Sequence, residues 1–271
     1  MRNHNYFGAG FGVVWLVLTL IPIYWIVITS FKTPSNYFAS NPILPPTEWT
    51  LENYRTVVES GFPQYFLNSA IVLVASVGPA VLVSFLAAYA IVRSRARTLK
   101  FFNSVFLLGL AIPLQAAIIP IYLIIIRLGL YDSLAALVVP AIAFSIPLSV
   151  LVLSNFIRDV PNELFEAMRV DGAGEWKTVW NLAFPITRPA LVTVTVYNAL
   201  TVWNSFLFPL ILTQSPDKRT LPLALWTFQG QYSVNIPGVL ASVVLTTVPV
   251  LVLYIFGQRQ LLGGLTAGFS K

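Results

Sequence analysis

The sequence predicts an all-α integral membrane protein of six transmembrane helices, with both termini on the cytoplasmic side. Three observations predict it. Of 271 residues, 57% are hydrophobic and only 10% are charged, where a soluble domain carries about a quarter charged residues. So few charges cannot cover a water-facing surface, so most of the surface must meet lipid or apolar protein. Six stretches are free of Asp, Glu, Lys and Arg for at least 25 residues each, and a helix needs about 20 apolar residues to cross the hydrocarbon of a bilayer. Finally, the basic residues divide unevenly between the alternate loops that these stretches define.

The stretches lie between Arg2 and Lys32, Glu59 and Arg93, Lys100 and Arg127, Asp132 and Arg158, Arg188 and Asp217, and Arg219 and Arg259. They place spans at 11–30, 65–92, 103–126, 134–156, 190–212 and 238–257, in a single transmembrane domain over 1–271. The next longest charge-free interval, Lys32 to Glu48, has 15 residues and holds Pro34, Pro42, Pro45 and Pro46. Helices follow because backbone in lipid must satisfy its own hydrogen bonds, and the ten-residue alternation of a barrel is absent. The first apolar run is too long for a signal-peptide h-region and no small-x-small site ends it, so it is read as an uncleaved helix.

With the N-terminus inside, the inner segments hold Arg2, Arg93, Arg95, Arg97, Lys100, Arg158, Arg169, Lys177, Arg188, Arg259 and Lys271. The outer ones hold Lys32, Arg55, Arg127, Lys218 and Arg219. Eleven against five favours that orientation, and the 93–100 loop, four positive charges and no negative, decides it. It is read as a topology anchor. The net charge of +6 therefore marks headgroup and loop contacts, not nucleic acid. With no cysteine, disulfides and thiolate metal sites are excluded, and the one histidine, His4, reads as a solvated terminal residue.

Among the loops, 50–60 suits a short helix with Thr50 as N-cap and Glu52 or Asn53 in its first turn. The segment 214–220 is a polar, proline-containing turn, and 221–237 reads as a re-entrant or surface segment. The loop 157–189 is different. It is the longest inner segment and is dense in charge, yet Leu164, Phe165, Met168, Val170, Trp176, Val179, Trp180, Leu182 and Phe184 are interleaved with the charges. Pro161 suits a helix start and Glu163 the positive end of its dipole. Leu164, Phe165 and Met168 share a face. Asp171-Gly172 is a turn signal. A second helix is expected over 175–182, with Trp176, Val179 and Trp180 on one face, closed by Pro185 and Pro189 before the fifth span. Physics alone leaves two readings open: a protein contact with aromatic anchors and a charged rim, or an amphipathic pair lying on headgroups.

A resemblance separates them. Glu166-Ala167-Met168-Arg169-Val170-Asp171-Gly172-Ala173, followed by Phe184-Pro185-Ile186 and Pro189, resembles the EAA loop of ABC importer permeases. Glu166, Ala167, Gly172 and Pro185 match that pattern, while Met168 stands for its second alanine. The Asp171-Gly172-Ala173 form is similar to the carbohydrate-uptake branch, that of the second permease subunit of the maltose transporter. Ser30-Phe31-Lys32, Trp49 with Glu52-Asn53-Tyr54, Phe66-Leu67-Asn68-Ser69, Ile112-Pro113-Leu114-Gln115 with Pro120, and Trp203-Asn204 resemble the same branch. So does the tail, Gly264-Leu265-Thr266-Ala267-Gly268, although Phe269-Ser270-Lys271 replaces its usual continuation.

The resemblance implies a type I ABC importer permease, multi-pass in a prokaryotic cell membrane. It implies a second permease subunit, two ATPase subunits and an extracytoplasmic solute-binding protein as partners. The sequence has no Gly-x4-Gly-Lys-Ser/Thr loop, so this chain is not expected to bind ATP in the usual way; the resemblance implies that it is not an enzyme and that hydrolysis, with ATP and Mg, belongs to the ATPase subunits. The coupling surface it implies comprises Phe165, Glu166, Ala167, Met168, Asp171, Gly172, Ala173, Trp176, Trp180 and Pro185, with Leu265, Thr266 and Gly268 as tail contacts. No ionisable residue lies deep in a span, which argues against proton or sodium coupling and against a strongly charged solute held by this subunit. Gln115, Tyr197, Asn198, Trp203 and Asn204 are the pathway candidates, with Asn155 and Ser205 behind them; packing between helices is the competing role for each. Permeases for glycerol phosphate, amino acids or peptides, a secondary carrier, and a membrane enzyme are the alternatives. The last two need intramembrane coupling residues or a His/Asp/Glu/Cys cluster, which the sequence does not provide.

Overall fold

The computed structural model describes residues 6–94, 96–225 and 235–267, and among them every regular element is helical. In chain order these are α1 (Tyr6–Ser30), α2 (Pro34–Ala39), α3 (Glu52–Glu59), α4 (Phe62–Arg93), α5 (Arg97–Leu110), α6 (Leu114–Arg127), α7 (Ala135–Arg158), α8 (Asn162–Val170), α9 (Glu175–Thr178), α10 (Phe184–Trp203), α11 (Leu207–Leu212), α12 (Leu221–Ala224) and α13 (Ile236–Ala267). Among the described residues, three helices are long and apolar enough to cross a membrane, over Gly10–Ser30, Phe62–Arg93 and Ala135–Arg158. They coincide with the expected first, second and fourth spans. Although the buried hydroxyls of Thr29, Ser76 and Ser154 have no partner among the described residues, others within these helices bond back to the preceding turn, as Thr19 does to the Trp15 carbonyl and Ser149 to that of Ser145. That is how a hydroxyl is carried through hydrocarbon without an orphaned donor.

Two expected spans are not continuous helices. The third, 103–126, breaks into α5 and α6, bent by 107°. Ala111 caps α5 and Pro113 precedes α6; a proline disfavours helical backbone in the residue before it and lacks the N–H that would carry the helix on. The fifth, 190–212, breaks at Asn204–Phe206 between α10 and α11, where the Asn204 side-chain amide donates to the Leu200 carbonyl at 2.8 Å. The sixth expected span lies within α13, whose stretch Ile236–Val252 is apolar. The 50–60 helix forms as α3, with Leu51 rather than Thr50 at the N-cap; the Thr50 hydroxyl accepts from the Glu52 amide at 3.1 Å. Of the segment 221–237, α12 is helical and 226–234 lie outside the described residues.

The chain divides into two compact units, residues 1–66 with 223–249, and residues 67–222 with 250–271. In the first, α1 is exposed along most of its length, as a helix facing lipid or a partner must be. At its end the chain folds on itself. Asn53 donates to the carbonyls of Ser30 and Lys32, both at 2.8 Å, and the Tyr54 hydroxyl meets that of Ser30 at 2.6 Å. Phe31 packs on Trp49 and Tyr54, with ring centroids 5.5 and 5.1 Å apart. Lys32 is wholly buried, its Nζ donating to the Asn41 carbonyl at 2.9 Å and the Ser40 hydroxyl at 3.3 Å. The scattered residues of the resemblance, Ser30-Phe31-Lys32 and Trp49 to Tyr54, are thus one packed cluster.

The second unit holds two buried apolar clusters. One gathers Phe85, Tyr89, Leu153, Ile157, Phe165, Val179 and Leu191; the other Val72, Ile125, Leu137, Ala199, Val202, Phe208 and Leu212. α7 packs against both α5 and α10. The approach to α5 is close at Gly109, where a Cβ would lie 3.0 Å from the Pro147 ring. Polar staples fix the connections. Asn68 donates to the carbonyls of Asp217 and Arg219, both at 2.8 Å, and Ser69 accepts from the Leu221 amide at 2.9 Å. Asp132, held at φ +58, accepts from the amides of Gln214 and Ser215 at 2.8 and 2.9 Å and from the Ser215 hydroxyl.

Candidate functional site

The 157–189 loop begins at Pro161, the N-cap of α8, with Glu163 in the first turn. α8 ends in a Schellman turn. The Ala173 amide bonds the Met168 carbonyl at 2.9 Å and the Gly172 amide that of Arg169 at 3.0 Å, the 6→1 and 5→2 pair that satisfies the last carbonyls. Gly172 has φ +73, which glycine adopts without cost, and open space where a side chain would point.

The second helix departs from expectation. It does not stop before Pro185. α9 passes into a π turn at Val179–Ala183 and continues through Pro185 and Pro189 as α10, up to Trp203. The Phe184 amide reaches back five residues to the Val179 carbonyl. A proline clashes with the carbonyl four residues earlier in a regular helix, and a widened turn relieves that clash. The loop is therefore continuous with the fifth span: α9 runs into α10 through an unbroken helical backbone.

The aromatic face also divides. Phe165 is 2% exposed and packs in the chain's own core beside Tyr89, ring centroids 6.4 Å apart. It therefore anchors the loop and offers no surface to a partner, a correction to the expected contact set. Val179 is buried with it. Leu164, Val170, Trp176 and Trp180 remain exposed, Trp176 at 67% and Trp180 at 42%. Glu166, Ala167 and Asp171 lie on the exposed side, and Met168 and Ala173 are half-buried.

Three contacts that sequence reasoning missed tie α8 and α9 to the end of α4. The Arg93 guanidinium lies 3.8 Å over the Phe165 ring and donates to Asn162 Oδ1 at 2.7 Å. The Tyr89 hydroxyl donates to Glu175 Oε2 at 2.9 Å, and Arg169 approaches the other oxygen of that carboxylate at 3.4 Å. The only local signal for any of them was the basic cluster at 93–100, whose stacking role depends on a partner some seventy residues away.

The pathway candidates separate into two groups. Gln115, Tyr197 and Asn198 line one cleft of about 560 Å³ in the second unit, with Phe144, Ser145, Thr201 and Ser205. Asn198 is buried and donates to the Ser149 hydroxyl at 2.8 Å, so its amide is partly used in joining α10 to α7. Trp203, the last residue of α10, is buried and lines no part of the cleft. Asn204 turns onto its own helix end instead. Of the tail residues, Leu265 and Thr266 fall in α13, and Gly268 lies outside the described residues.

Helices of membrane length, two broken apolar segments around a cleft, and an aromatic loop continuous with a span fit a permease-type membrane subunit. Residues 80–261 match the family described as binding-protein-dependent transport system inner membrane component, and the chain belongs to that family. Its members are permease subunits and not themselves enzymes. ORF2 of Caldicellulosiruptor sp. (strain Rt8B.4), named for an ABC transporter permease, is 38% identical over 261 residues, 96% of this chain and 95% of its own. The diacetylchitobiose uptake system permease protein NgcG of Streptomyces coelicolor is 31% identical over 94% of this chain and 85% of its own. In fold, the chain matches a subunit of a bacterial ABC transporter that imports the acidic polysaccharide alginate. The TM-score is 0.83 at 23% identity, covering 96% of this chain and 98% of that one.

Proposed function

We propose that this chain is the six-span permease subunit of an ATP-driven importer for a sugar or oligosaccharide, with both termini in the cytoplasm. The third and fifth spans are then the broken pairs α5/α6 and α10/α11, and the basic 93–100 loop and the 157–189 loop lie on the cytoplasmic side. The substrate class rests on the family and on the sugar-uptake relative of similar length.

One observation carries the coupling role. Trp176 and Trp180 are exposed on a loop otherwise clamped at both ends, to α4 through Arg93 and Tyr89 and to α10 through the π turn. Exposed tryptophans on a preorganised element are the usual anchors of a protein contact. The loop sits in a groove of an ATPase subunit, with Glu166 and Asp171 on its rim, and closure of two ATPases on ATP and Mg moves α9 and hence α10. A second permease subunit covers apolar surface left bare here, and an extracytoplasmic solute-binding protein delivers the sugar. The tail at 265–268 makes a lesser contact.

The test is purification of the tagged chain from native membranes in mild detergent, with mass spectrometry of what accompanies it. An ATPase subunit, a second permease and a solute-binding protein are expected, with the ATPase lost from Trp176→Ala/Trp180→Ala. A chain that emerges alone, with or without nucleotide, overturns the coupling role and returns the loop to a membrane-surface element.

A further inference from the structure

The two helix breaks meet at one place. Leu110 and Ile112, at the α5/α6 break, and Ser205 and Phe206, at the α10/α11 break, all line the 560 Å³ cleft, and α7 supplies its third wall. Irregular backbone at membrane depth is tolerated only where protein buries it or water reaches it. The side chains point the same way. Gln115 and Tyr197 are both exposed, and neither the Gln115 side-chain amide nor the Tyr197 hydroxyl forms a hydrogen bond with another described residue; the Tyr197 carbonyl accepts from the Thr201 hydroxyl. An unpaired amide or hydroxyl facing hydrocarbon costs roughly 2–7 kcal/mol, so this side of the chain does not face lipid. The cleft is of a size that takes small molecules, a range of about 300–1,000 Å³.

Its chemistry is selective. The lining contains no Asp, Glu, Lys or Arg. It offers a free amide at Gln115, hydroxyls at Tyr197, Thr201 and Ser205, and aromatic faces at Phe144 and Phe206. Rings that carry many hydroxyls and no charge satisfy such a surface: apolar C–H faces stack on the aromatics and hydroxyls pair with the amide. A carboxylate would lose its hydration and meet no cation.

We infer that the cleft at the α5/α6 and α10/α11 breaks is a sugar-contacting site contributed by this chain itself, for an uncharged oligosaccharide and not for a uronate-bearing one. The inference rests on the importer reading above and adds which subunit surface touches the sugar and with what charge preference.

The experiment uses the whole transporter, with its partner permease, ATPases and binding protein, in vesicles. The vesicles are given equal concentrations of neutral oligosaccharides from hydrolysed starch, chitin, xylan and arabinan, and acidic ones from alginate and pectin. Mass spectrometry then reads what accumulates with ATP. Neutral oligosaccharides are expected inside, with uptake at least tenfold lower in Gln115→Ala and Tyr197→Ala assembled to the same level. Accumulation of uronates overturns the charge preference. Neutral uptake unchanged in both variants overturns the site but leaves the importer standing. No uptake of any sugar, with ATP hydrolysed, overturns the sugar reading on which the inference rests. A second measurement stands should the alanine variants fail to assemble. The chain has no cysteine, so Thr201→Cys carries a unique thiol. It is expected to react with a charged, membrane-impermeant thiol reagent, while Ile124→Cys, on an exposed face of α6 away from the cleft, stays unreactive. An unreactive Thr201→Cys in the apo and ATP-bound states shows a cleft closed to water and overturns the site.

Discussion

At the scale of single residues, three positions have consequences that chemistry sets. Gly172 occupies a left-handed conformation with open space around it, so a replacement such as Gly172→Val meets no clash but strains the backbone by about 1–2 kcal/mol. That is too little to unfold a bundle. It is enough to distort the Schellman turn that orients Trp176. Transport is expected to fall by an order of magnitude or more, with the thermal unfolding midpoint of the purified transporter nearly unchanged. A large drop in the midpoint would mean that the turn serves the fold. Trp176 is the second. If it anchors a partner, truncation to alanine costs about 2 kcal/mol or more, so affinity for the ATPase subunit, read by titration in detergent, should weaken some 30-fold by the usual conversion.

Asp132 is the third. The Ser215 hydroxyl bond first, then the amides of Gln214 and Ser215, hold its carboxyl below the ordinary 3.8. A lowered carboxylate pKa stabilises the folded form above the unfolded value, and the stabilisation fades as pH falls through the folded value. The latch between the 128–133 and 213–220 connections should therefore be intact at every pH above about 4. Amides of Gln214 and Ser215 are expected to exchange faster in Asp132→Ala than in the parent at both pH 5 and pH 7. Equal exchange in the two proteins would show that the carboxylate is not what holds the turn.

At the scale of elements, the loop's function depends on how it is attached. Tyr89 reaches from α4 to Glu175 at the start of α9, and a hydrogen bond to a charged group contributes about 1.5–3 kcal/mol, at the low end here because the carboxylate is exposed. The Arg169–Glu175 pair is exposed on both sides and contributes less, since water screens it. Tyr89→Phe is expected to loosen α9, seen as faster amide exchange over 175–183, while α8 keeps its protection because Arg93 still holds Asn162 and Phe165. Loosening of α8 as well would show the two helices to be one cooperative piece. The existence and order of α8 and the Gly172 turn were legible in sequence, because Pro161, Glu163 and Asp171-Gly172 are local signals. The continuation of α9 through two prolines was not. Prolines read as breakers, and the π turn that accommodates them is a property of backbone geometry with no residue signature of its own. The break in the third span had a local signal in Pro113, which the sequence alone reads equally as a kink or a mild bend; the break in the fifth was hidden, because charge spacing measures length across a membrane and is blind to a bend within it.

At the scale of the molecule, much apolar surface remains exposed, above all along α1. Lipid covers part of it and, on our reading, a second permease covers more. A partner that binds only the folded chain raises its stability by mass action. The isolated chain in detergent should unfold at a lower temperature than the assembled transporter, and an equal midpoint would remove the case for a partner on this surface. The sequence by itself determined that the chain is a helical membrane protein, where three of its spans run, and that 157–189 is a structured loop, because hydropathy, charge spacing and turn chemistry are written in neighbouring residues. Tertiary structure alone decided that Phe165 faces inward and Trp176 outward, that Asn68 and Asp132 staple distant connections, that Trp203 and Asn204 belong to packing and helix capping, and that Gln115 and Tyr197 share one cleft. The physical reason is distance along the chain. Each of these outcomes depends on contact between residues tens of positions apart, or on which side of a helix such a contact occupies, and no local pattern encodes that.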